Sequence, residues 1–202
     1  FLPADQATEL NEQLSEVIHD ISVNPAFIQE ALVNQIVKVT GGLAIQSEIW
    51  IPLYAVHGKS EQANVLTHEF THVVFNQQGI GSKLPLWINE GMSWHTGMAG
   101  KKRISPEAEK RMRTKLNEQI QAVVAANQLL PLTADGNDII HASYNVEWQD
   151  YMAVHDLIET YGEDKMREFL INVKKLGVEA SFLQAFGMPL HTFEEKFYKS
   201  IQ

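Results

Sequence analysis

Apolar residues recur at helical spacing along most of this chain, and they alternate in strand fashion only in one stretch near its start. Over about 4–22, Leu10, Leu14, Val17, Ile18 and Ile21 share one helix face, and Asn24-Pro25 ends the segment. A second short helix is expected after Pro25. Between Asn34 and Tyr54 the pattern predicts strands at 36–39, 43–45 and 49–51, with a turn at Gly41-Gly42 and an edge position for the last, because of Pro52. Ser60 is a fair N-cap for a helix over 61–78, which Gly79 to Lys83 breaks. A further helix is expected over about 85–96. Gly97 to Arg103 then reads as an exposed connection with Lys101, Lys102 and Arg103 solvated.

Ser105-Pro106 with Glu107 starts a helix over about 105–128. A loop at 129–143 contains Pro131 and Asp135-Gly136, and helices follow at about 146–161, 163–176, 178–186 and 190–201. The expected fold class is α+β: a small N-terminal β-sheet with the 61–78 helix packed on it, then a mainly helical C-terminal half. One domain over 1–202 is expected, with lobes at about 1–96 and 97–202.

Composition narrows the partners. At 202 residues and 45% hydrophobic, the chain can bury a full core. It has 25 acidic and 16 basic side chains, a formal charge of −9, and no basic stripe, so nucleic acid is excluded as a partner. The acidity is concentrated before residue 101, where ten acids face three bases. No cysteine is present, which removes disulfides, thiol catalysis and thiolate metal ligation. No apolar run approaches the length of a membrane span. A monomer is expected. Because the chain begins at Phe1, a signal or anchor would lie upstream; acidity and the lack of cysteine suit an extracellular, cell-surface or periplasmic bacterial protein.

The 61–78 helix carries the pentapeptide His68-Glu69-Phe70-Thr71-His72, an H-E-x-x-H pattern. Residues four apart on a helix share a face, so both imidazoles can reach one metal ion. Glu69 is displaced round the helix, too far to share the ion and well placed to meet a water on it. Neutral imidazole suits Zn²⁺, and a catalytic zinc usually takes three protein ligands and keeps one open position. Glu90, in Asn89-Glu90-Gly91, supplies the third ligand, giving one Zn²⁺ per chain on His68, His72 and Glu90. A third histidine on the same segment is ruled out by Phe75 and Gln78, and no aspartate occurs between residues 73 and 134.

The segment Leu84-Pro85-Leu86-Trp87-Ile88-Asn89-Glu90-Gly91-Met92-Ser93 resembles the P-x-W-x-x-E-G segment of gluzincin peptidases, the thermolysin-like and aminopeptidase N-like enzymes and their small bacterial relatives. The resemblance runs from about residue 45 to the C-terminus and includes Tyr161-Gly162, similar to the turn that closes the site in the small relatives. It implies a zincin-like fold and zinc-dependent hydrolysis of peptide bonds, with the water on zinc activated by Glu69. It also implies an oxyanion donor from the downstream region. Tyr144 is the first candidate, Tyr151 the second and His141 the third, although the aligned position falls near Glu147 and Trp148. The strand at 49–51 is expected to pair with an extended substrate, with Trp50 and Tyr54 lining a pocket.

Trp94 is expected in the core, and His95 near the site or exposed. His19, His57, His155 and His191 have no partner at metal-ligand spacing. Two function classes stay open. One is a zinc peptidase acting on peptides or unfolded protein, with the short chain favouring an endopeptidase. The other is a silent or latent metal-containing binding module on the same fold.

Overall fold

Helical spacing after residue 58 is realised almost without interruption. A computed structural model describes residues 41–45, 48–51, 56 and 58–201. The helices expected before residue 34, the strand at 36–39, and Pro52, Tyr54 and His57 lie outside the described residues. Two strands, β1 (Leu43–Ile45) and β2 (Glu48–Trp50), precede α1 (Lys59–Gln78), α2 (Leu86–Ile104), α3 (Pro106–Ala125) and α4 (Gly136–Ile140). Then come α5 (Glu147–Tyr161), α6 (Glu163–Leu176), α7 (Val178–Phe186) and α8 (Leu190–Ile201).

The α+β expectation is corrected: 75% of the interpretable residues are helical, and the only sheet among them has two strands. The ladder pairs Leu43 with Trp50, Ala44 with Ile49 and Ile45 with Glu48, antiparallel. So short a ladder offers no face long enough for α1, a helix of about 30 Å. The main partner of α1 is α2.

That pairing depends on the glycines read as a loop. Gly97 and Gly100 lie inside α2, where α1 comes so close that an added Cβ would stand 3.0 Å from the Asn64 carbonyl oxygen or 2.5 Å from Thr67 Oγ1. The two helices are also joined by Thr71 Oγ1 and Thr96 Oγ1, 2.5 Å apart. Lys101 is buried, not solvated as expected, and pairs with Glu61 of α1. The Ser105-Pro106 start of α3 is as the sequence predicts, with Ser105 Oγ accepting from the Ala108 N–H at 3.2 Å. Gly79 ends α1 in the left-handed region (φ 70°), a conformation glycine adopts without steric cost.

On its other side α2 meets α5, whose Ala153, Val154 and Leu157 are fully buried. The C-terminal helices contribute an aromatic cluster of Phe169, Phe182, Phe186, Phe193 and Phe197. Trp87, at the start of α2, stacks on Phe193 (centroids 5.6 Å apart) and donates its indole N–H to Glu194 Oε1 at 2.9 Å. The part of α2 that carries Glu90 is thereby tied to α8. No helix among the described residues is long and apolar enough to cross a membrane.

Candidate metal centre

His68 and His72 are one turn apart on α1, and Glu90 projects from the first turns of α2. The two imidazole Nε2 atoms are 3.2 Å apart, and they lie 3.6 and 3.4 Å from Glu90 Oε2. A tetrahedral ion with bonds of about 2.05 Å sets its ligand atoms about 3.3 Å apart. The three donors therefore already stand at the edge lengths of a tetrahedral zinc site. No other group of three such side chains converges in this way among the described residues.

The ring orientation of His72 is fixed from behind. Asn89 Oδ1 lies 2.9 Å from its Nδ1, and Asn89 Nδ2 donates to the Gly81 carbonyl at 3.1 Å, which holds the amide with its oxygen toward the ring. Nδ1 must then carry the proton, leaving the Nε2 lone pair for a metal. Ser93 Oγ backs the same nitrogen at 3.3 Å.

The electrostatics favour positive charge at this point. Burial alone would lower His72, but the Glu90 carboxylate outweighs it and pushes the imidazole up to about 9. Burial would likewise raise Glu90, yet the two histidines hold it down to about 2. The donor set and its field both fit a dication.

These side chains line a cavity of about 590 Å³. Gly42, Leu43 and Ala44 form one wall, and Trp94, Met112 and Glu147 lie on another. Leu43 and Ala44 of β1 border the cavity, and the Trp50 side chain and Tyr54, expected to line a pocket, lie outside the described residues. Glu69 is buried on α1 and lines it too. Gly42 backs this carboxylate: a Cβ there would be 2.9 Å from Glu69 Oε1. Burial raises the Glu69 carboxyl above its ordinary value, while His68 and His72 pull it back.

The structure brings His68, Glu69, His72 and Glu90 into one cavity and holds the proposed oxyanion donors elsewhere. Tyr144 Oη donates to Gln149 Oε1 at 2.6 Å and accepts from the Leu130 N–H at 3.0 Å. It would have to leave both partners to reach a substrate. Tyr151 is buried, with its ring stacked on His155 at 5.6 Å. His141 is exposed, with Nδ1 2.7 Å from the Asn137 carbonyl oxygen. Glu147, near the position that aligns with the family's tyrosine, lines the cavity.

Sequence reasoning did not single out Asn89 or give Trp94 a place at the site. Adjacency to Glu90 signals the first. Helical spacing signals the second, since Trp94 lies four residues after Glu90. No match is found among curated proteins or among solved structures. A family model described as the Peptidase MA superfamily matches residues 5–202. With nearly its whole length matched, and a His-His-Glu group able to hold a metal, this chain belongs to the Peptidase MA superfamily.

Proposed function

We propose that the protein is a gluzincin-type zinc peptidase that cleaves peptide bonds within extended or unfolded chains. The observation that carries this reading is the convergence of His68 Nε2, His72 Nε2 and Glu90 Oε2 at tetrahedral edge lengths, with the Glu69 carboxylate in the same cavity. Zinc held by those three residues would supply a Lewis acid that activates water and polarises a peptide carbonyl. Glu69 takes the proton from the attacking water and passes it to the leaving amine. Its ionised form is the one that accepts. Burial raises its carboxyl, and positive charge on His68 and His72 opposes that rise. Leu43 and Ala44 set strand backbone along the cavity wall, a surface suited to an extended peptide.

The test is cleavage of a mixed peptide library by zinc-loaded protein, read by mass spectrometry beside Glu69→Ala. Wild type is expected to cut at internal bonds. The variant should keep about one zinc per chain and lose activity by a factor of about 10² or more, the typical contribution of a positioned general base. A silent metal-binding module is the second reading, and one observation favours it: the Tyr144 hydroxyl is engaged by Gln149 and Leu130, away from the cavity. Stoichiometric zinc without cleavage by either protein would select that reading.

A further inference from the structure

The two histidines of the centre are held differently. His72 has Asn89 and Ser93 behind its Nδ1. His68 has no hydrogen-bond partner at Nδ1 among the described residues. Metal-binding imidazoles are ordinarily oriented through that second nitrogen, and losing the orienting group typically weakens the site about 10–100-fold. Among the described residues, a different kind of contact meets the His68 ring.

That contact is an aromatic edge. The Trp94 and His68 rings meet nearly perpendicular, at 86°, with centroids 5.8 Å apart. Gly97, one turn further along α2, lets the helices approach closely beside the same side chain, since a Cβ there would lie 3.4 Å from His68 Cβ. Trp94 is itself anchored: its Nε1–H donates to Glu147 Oε2 at 2.7 Å, a short bond to a charged acceptor. Glu147 stands in the first turn of α5 and lines the cavity. The chain of contacts runs from α5 through α2 to α1.

We propose that Glu147 is a positioning residue for the metal centre, holding the Trp94 indole so that its ring fixes His68 with Nε2 toward His72 and Glu90. This inference rests on the zinc reading of the site. Glu147 acts through the hydrogen bond, not through its charge. The substitution Glu147→Gln keeps an oxygen acceptor for the indole and removes the charge. Glu147→Ala removes both. Trp94→Phe keeps an aromatic edge against His68 and removes the donor.

The experiment is zinc affinity, measured by competition with a chromophoric chelator, for the wild type and these three variants, with thermal unfolding of each metal-free protein as the folding control. Glu147→Ala and Trp94→Phe are expected to weaken zinc about tenfold, and the double variant no more than either alone, as for two ends of one contact. Glu147→Gln should stay close to wild type. With Co²⁺ as probe, the visible ligand-field spectrum should broaden or shift for Glu147→Ala and Trp94→Phe alone, a signature that a loss of general stability does not produce.

Equal weakening by Glu147→Gln and Glu147→Ala would overturn the proposal, because charge in the cavity would then be what matters. Unchanged affinity in all three would overturn it as well. Failure of the wild type to bind one zinc would overturn the zinc reading and this inference with it. Wild-type binding with unresponsive variants would sink the inference alone.

Discussion

At the level of single residues, the site is built from groups that fix the direction of a lone pair. Asn89 illustrates this, with one end of its amide on the Gly81 carbonyl and the other on His72 Nδ1. Asn89→Ala should therefore weaken zinc about tenfold while leaving the fold intact, with Ser93 limiting the loss. Isothermal titration with zinc checks this, and unchanged affinity would remove Asn89 from the account. The candidate metal ligands were legible because a metal demands particular side chains at particular helical offsets, as in His68 and His72. Their supports were less so. Any of several polar or aromatic groups can brace an imidazole, and nothing in the spacing of Trp94 announces that Glu147, far along the chain, holds its indole.

Among the elements, α1, α2 and α5 position the site, and glycine sets how closely they approach. Gly91, directly after Glu90, faces α5: a Cβ there would collide with the Asp150 carbonyl oxygen and lie 2.5 Å from Val154 Cγ2. Gly91→Ala should cost about 1–3 kcal/mol by overpacking, measured as a lowered urea midpoint. It should also weaken zinc, since Glu90 must move with α2. Apart from α4, a short helix inside the expected loop at 129–143, the helix boundaries from Ser105 onward were readable because capping and proline chemistry are local. The continuation of α2 through Gly97 and Gly100 was not. Two glycines and three basic residues look like a loop until a partner helix rewards small side chains, and Lys101 looks solvated until Glu61 meets it. The α+β expectation has a related cause: alternation marks a strand and does not say how large a part of the fold its sheet will form.

For the whole molecule, the response to acid follows from a partly buried histidine pair between α2 and α5. His95 and His155 lie with ring centroids 6.4 Å apart. Burial is the main cause that holds both below the ordinary histidine value. The other histidine and Arg113 of α3 add to the lowering of His95, and Arg113 to that of His155. Glu109, Asp156, Glu159 and Glu163 oppose it from α3, α5 and α6, and Tyr151 stacks on His155. Groups with depressed values take up protons more readily when unfolded, so their contribution is present above the unfolded value of about 6.5 and is lost as pH falls through the lowered folded values. Thermal stability should fall on acidification from pH 7 toward 5, and less steeply in His155→Gln. Parallel slopes in the two proteins would dismiss the pair as the source. The placement of all three candidate metal ligands on α1 and α2 has a different consequence. Neighbouring helices close a short loop at small entropic cost, so the site can assemble early in folding without waiting for the C-terminal helices to dock. Its ion would then be a nucleus on which the remaining helices condense, and such a hairpin can carry its chemistry from one helical surrounding to another.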